Sequence, residues 1–175
     1  MAYKGVIVGN GRARNIYLNG QKIVSATVPE DVTVLNCTFL GFQDLIRVII
    51  PESVTAIGDY ALSNCSSLAN ITIPASVTSI GQRAFWDCSS LTGITIPASV
   101  TSIGDYAFLR CSSLTDVYYA GSEEEWNAMT IGTGNDQLKN ANIHYIPAAS
   151  IMCDKVHLDR LQLLGAAHVF AVSYD

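Results

Sequence analysis

The chain has 175 residues, of which 49% are apolar and 14% charged, with a formal net charge of −5. That is enough chain for one domain with a real core, and it is too apolar for intrinsic disorder. The acidic balance argues against nucleic acid or anionic lipid as partner, and the longest apolar runs fall far short of a membrane span. The opening MAYKGVIVGNGRAR lacks the apolar core and cleavage site of a secretory signal. The expected route is therefore synthesis in the cytoplasm, with exit, if any, independent of such a signal. Residues 1–27 read as β structure: VIV, NIYL and KIVSATV are short β-prone runs, and Asn19-Gly20 is a hairpin signal. GNGRAR lacks the lysine and spacing of a phosphate loop, so its glycines read as turn residues.

Residues 28–119 are dominated by self-similarity. IPESVTAIGDYALSNCSSLANIT from Ile50, IPASVTSIGQRAFWDCSSLTGIT from Ile73 and IPASVTSIGDYAFLRCSSLTDVY from Ile96 align without a gap at a period of 23 residues. A degenerate copy starts at Val28 and is one residue shorter near Asn36-Cys37. A period of this length predicts a solenoid. Leu45, Leu68, Leu91 and Leu114 form one ladder, and Val48, Ile71, Ile94 and Val117 form the next. Ile57, Ile80 and Ile103 form a third, and Leu62, Phe85 and Phe108 a fourth. Inward residues two apart in LxxIxIP predict a strand with one face buried, ended by proline. Gly58, Gly81 and Gly104 recur at one column, where a turn conformation disfavoured by side chains is expected. The DYAF/QRAF stretch has room for one helical turn at most. Each coil is thus expected to be a strand, a turn and a short convex segment.

Residues 120–147 are expected to close the array. Ser122 and Glu125 have capping-box spacing, with Glu123 and Glu124 in the first helical turn. Trp126 and Met129 are placed to cover the last coil, and Ile143 and Tyr145 supply a final strand. Residues 148–175 form an apolar tail, with a helix expected over 150–164 and a strand in HVFAVSY. A tail so apolar after a closed cap predicts docking on its own solenoid or on a sister copy.

The IPxSVTxIGxxAFxxCxSLxxIxIP pattern resembles the BspA-type (Treponema-type) leucine-rich repeat family over residues 28 to about 119, and residues 117–145 resemble its usual closing segment. The resemblance implies a curved α/β solenoid with a parallel sheet on its concave side. It also implies bacterial surface or secreted proteins that bind host or matrix proteins and are not enzymes. The opening VIVGNGRARNIYLNG also resembles the start of some tail-region proteins in phages of Gram-positive bacteria.

Candidate chemistry is sparse. Cys65, Cys88 and Cys111 share one repeat column and read as buried free thiols, without the companions a metal would need. Cys153, Asp154 and His157 lie close in sequence but lack an oxyanion donor, and His144 and His168 read as isolated polar residues. Neither a cofactor nor a metal is expected. What varies between copies is surface: Arg47, Asn70, Gly93 and Asp116 in one outward column, and Ile49, Thr72, Thr95 and Tyr118 in another. Tyr60, Arg83 and Tyr106 form a convex stripe, with Trp86 and Leu109 at equivalent positions and Arg110 beside them. Arg47, Asn70, Tyr60, Arg83, Trp86, Tyr106, Leu109, Arg110 and Tyr118 are the candidate interaction surface. For the stripe tyrosines, lateral packing that shields the core is an equal alternative. The expected function is non-catalytic attachment to a protein partner or sister copies, in a phage or prophage virion. A BspA-type surface adhesin is the alternative, and a homo-oligomer or particle-bound state is expected in the first case.

Overall fold

In a computed structural model of the chain, residues 17–18 and 21–147 are described. The expected strand VIV, the helix over 150–164, the strand HVFAVSY, and Cys153, Asp154, His157 and His168 lie outside them. Strands β1 (Tyr17–Leu18) and β2 (Gln21–Lys22) pair antiparallel. The chain continues through β3 (Ser25–Thr27), β4 (Val34–Leu35), β5 (Arg47–Ile49), β6 (Ala56–Ile57) and β7 (Asn70–Thr72). Then follow β8 (Ser79–Ile80), β9 (Gly93–Pro97), β10 (Ser102–Ile103) and β11 (Asp116–Ala120). Helix α1 (Glu123–Ala128), β12 (Thr130–Ile131), helix α2 (Asp136–Lys139) and β13 (Asn142–Tyr145) end the described chain.

Beyond β2 every ladder between described strands is parallel, as stacked coils of one hand require. The LxxIxIP strands form one face, with β7, β9, β11 and β13 in a four-stranded sheet and β3 paired with β5. Asn70 lies opposite Gly93 and Gly93 opposite Asp116, so the 23-residue period is the register itself. A second face is a five-stranded sheet of β4, β6, β8, β10 and β12, which the sequence pattern did not announce. Two-residue strands are too short to show alternation. The serine and threonine of each SVT support this face, since Ser76 Oγ donates to Val54 O at 2.6 Å and Thr78 Oγ1 to Thr55 O at 3.3 Å.

The third face carries no helix; both helices among the described residues lie in the cap. Here alternate backbone N–H groups do two jobs. Those of Ala61, Ser63 and Cys65 donate three residues back, to Gly58, Tyr60 and Leu62. Those of Tyr60, Leu62 and Asn64 donate forward to Gln82, Ala84 and Trp86 of the next coil, at 3.0, 2.8 and 2.7 Å. The next coil repeats this scheme in full, with Arg83, Phe85 and Asp87 donating forward to Asp105, Ala107 and Leu109, so the turn face is also a hydrogen-bonded ladder. Its geometry requires positive φ at Tyr60, Arg83 and Tyr106 and again at Asn64, Asp87 and Arg110.

The ladders read from sequence fill the interior. Leu45, Leu68 and Leu91 are fully buried, as are Ile57, Leu62, Phe85 and Phe108, and the last two stack at 5.1 Å between ring centroids. The glycine column needs a correction. The left-handed glycines among the described residues are Gly41 and Gly134, whereas Gly58, Gly81 and Gly104 have ordinary φ. They are glycines because the coils approach closely there. A Cβ on Gly81 would lie 2.6 Å from the carbonyl carbon of Gly58, and one on Gly104 2.6 Å from the backbone nitrogen of Gln82.

The cap extends the coil scheme. Ser122 and Glu125 form the reciprocal capping box of α1, and Trp126 and Met129 are buried against the core. Fully buried Asn135 stands in for a missing coil: its Oδ1 accepts from Phe108 N–H at 3.0 Å, and its Nδ2 donates to the Gly104 and Gly132 carbonyls. Both sheets continue into the cap through β12 and β13.

Candidate functional site

The nine candidate surface residues fall on two faces. Arg47, Asn70 and Tyr118 lie on the outward side of the LxxIxIP strands, where Arg47 and Asn70 are exposed and Tyr118 is half-buried. The other six gather on the turn face, carried there by the left-handed positions.

On the turn face Arg83 sits between two rings, its guanidinium carbon 5.7 Å from the Tyr60 centroid and 5.5 Å from that of Tyr106. Its NH1 also donates to the Tyr60 hydroxyl at 2.7 Å. One turn along, Arg110 lies 5.7 Å over the Trp86 ring. Such cation–π contacts orient a guanidinium without neutralising it. Tyr60, Arg83, Trp86, Leu109 and Arg110 together line one open depression of about 340 Å³. Tyr106 stays outside this lining and packs toward Gly134, whose lack of a side chain makes room for the ring. The stripe tyrosines thus do pack laterally, coil on coil, while both stay partly exposed to solvent.

On the sheet face the structure adds a residue that sequence reasoning set aside as isolated. His144 Nε2 lies 2.7 Å from Asp116 Oδ1, and its ring stacks on Tyr118 at 4.8 Å. That hydrogen bond, with a second from Thr115, holds the Asp116 carboxyl below its usual range. The pairing was hidden because the cap strand follows β11 at 26 residues, off the 23-residue period.

The cysteine column is interior. Cys65, Cys88 and Cys111 are buried free thiols, each donating through Sγ to a carbonyl of the preceding coil at 3.1–3.2 Å. Burial pushes Cys65 and Cys111 up to about 12 and raises Cys88 strongly, so they are protonated and unreactive. Among the described residues no cluster of three or more His, Cys, Asp or Glu side chains is suited to a metal ion. No helix among them is long and apolar enough to cross a membrane.

A family model described as "BspA type Leucine rich repeat region" matches residues 13–143 with six copies. Among curated proteins none matches significantly. Solved structures do. A leucine rich cell surface protein from Faecalibacterium prausnitzii is 28% identical, with a TM-score of 0.55 over 63% of this chain and 30% of its own. A leucine-rich repeat protein from Bacteroides ovatus is 27% identical, with a TM-score of 0.58 over 75% of this chain and 32% of its own. The leucine rich repeat protein of Treponema pallidum is 25% identical, with a TM-score of 0.53 over 86% of this chain and 74% of its own. The chain therefore spans about a third of the first two proteins.

Proposed function

The chain belongs to the BspA-type leucine-rich repeat family, and from that premise we propose that it is a non-catalytic protein-binding solenoid of the bacterial surface type. The observation that carries this reading is the turn-face depression, where two arginines, two aromatic rings and a leucine gather on a hydrogen-bonded backbone. Arginine and aromatic side chains on a rigid support are what protein interfaces use as anchors. Of the two settings expected from sequence, a virion and a bacterial surface, we favour the second because the similar Faecalibacterium protein is a cell surface protein. Self-association also belongs to this proposal. The large exposed apolar residues among those described, Val24, Val34, Ile46 and Ile49, all lie in the first coils, as a contact between copies at that end requires.

The test is surface binding. The chain is immobilised on a sensor and exposed in turn to fibronectin, laminin and collagen. Saturable binding of at least one at micromolar concentration is expected. Failure of all three to bind would overturn the surface-adhesion reading.

A further inference from the structure

We propose that the turn-face depression is a receptor for a carboxylate set beside a large apolar side chain, that is, for an acidic–apolar segment of a partner polypeptide. The inference rests on the protein-binding reading above and names the partner's chemistry. Over residues 23–147 the chain has only four cationic side chains, Arg47, Arg83, Arg110 and Lys139, against twelve carboxylates. Two of those four line one depression whose wall contains no carboxylate. Among the described residues neither Arg83 nor Arg110 forms an ion pair, and the hydrogen bond to Tyr60 uses one of the five N–H donors of Arg83. Unspent donors on guanidiniums already fixed against rings suit bidentate capture of a carboxylate, with little ordering left to do.

Two further features point the same way. Arg83 and Arg110 both occupy left-handed backbone positions, with φ of 53° and 65°, where glycine or asparagine fits best. The same two columns hold Cys37, Tyr60, Tyr106 and Asp87 at positive φ as well as Gly41, Asn64 and Gly134, so the conformation belongs to the coil. At Arg83 and Arg110 its cost is borne by side chains that line the depression. Leu109 and Trp86 then supply an apolar wall that a bare anion would leave wet. The acidic body repels a polyanion, but a single carboxylate delivered between two arginines meets a local positive field.

Trp86 is one of two tryptophans, and the other, Trp126, is buried in the cap, so Trp86 fluorescence reports on the depression. The probes are an end-blocked peptide of alternating Glu and Leu, its Gln–Leu counterpart, sialyllactose and inorganic phosphate, each added to the full chain. A saturable change in emission is expected with the Glu–Leu peptide, weakened about fivefold or more by the Gln–Leu exchange. Arg110→Gln should weaken binding similarly with an unchanged melting temperature, Arg110→Lys should restore only part, and Lys139→Gln in the cap helix should change nothing. The proposal is overturned by a missing response, by equal responses to the two peptides, or by an Arg110→Gln chain that binds as well as the parent. It is also overturned if sialyllactose or phosphate binds at least as tightly as the Glu–Leu peptide. Matrix-protein binding that survives any such failure leaves the adhesive reading standing and removes only this assignment.

Discussion

Three successive coils have a column where glycine sits at an ordinary φ and another where bulky residues sit at a left-handed one. Gly81 and Gly104 have no conformational need of glycine; the preceding coil is simply too close for a Cβ. Tyr60, Arg83, Tyr106 and Arg110 do occupy glycine-like conformations, yet they carry large side chains held by rings and by hydrogen bonds to the next coil. A left-handed conformation costs a non-glycine residue about 1–2 kcal/mol. The strand side has thus been shaped by packing, whereas the turn side keeps its side chains at a conformational cost.

The interior both columns enclose gives the largest expected effect. Leu91 is fully buried, so Leu91→Asp places an unpaired carboxylate in the core at a cost of several kcal/mol and should abolish cooperative melting. Thr92→Asp, one position on and exposed, should stay within about 0.5 kcal/mol of the parent. Equal melting temperatures for the two would break the ladder assignment. Next comes the glycine column, where Gly81→Ala and Gly104→Ala should each cost about 1–3 kcal/mol by urea denaturation, because the atoms in the way are backbone.

The thiols give a pH-dependent test of the same interior. Burial raises the folded-state pKa of Cys65 and Cys111 from an ordinary 9.0 to about 12. Above pH 9 the unfolded chain therefore loses thiol protons that the folded chain keeps. The stability due to neutral thiols is complete below about pH 9 and is lost progressively as pH rises toward 12. Melting temperature should fall across that window, and fall less steeply in a chain with both replaced by alanine. A thiol reagent at pH 8 should label Cys65, Cys88 and Cys111 only after denaturant is added. The smallest effect belongs to the left-handed column: Asp87→Gly should be neutral or stabilising by up to about 1 kcal/mol, the opposite sign from Gly81→Ala.

The interior was readable because burial repeats with the period. Leu91, Ile94 and Phe85 stand out as columns once the copies are aligned, and the capping box at Ser122 and the covering role of Trp126 are equally plain from residue spacing. The five-stranded second sheet was not, because Ser79–Ile80 and its equivalents are two residues long. The reason for the glycines was misread, since a recurrent glycine signals either backbone handedness or close approach, and sequence alone does not separate the two. The candidate surface was half legible: Tyr60, Arg83 and Trp86 could be named from variation between copies. Their convergence on one depression depends on left-handed turns: Gly41 and Asn64 announce the one at Arg110, but Cys37, Tyr60 and Tyr106 give no such sign in the column of Arg83. His144 was missed because the cap leaves the 23-residue period.

The central claim is that the turn-face side chains are retained for a partner, while the hydrogen-bonded backbone beneath them holds the coils together. Its most direct test is one double variant, Trp86→Ala with Arg110→Gln, measured for both thermal stability and binding to whichever matrix protein the parent chain captures. The expected result is a melting temperature equivalent to a loss of no more than about 1 kcal/mol together with loss of most of the binding. A variant that melts far lower would make these side chains structural, and one that binds as well as the parent would place recognition elsewhere; either result contradicts the claim.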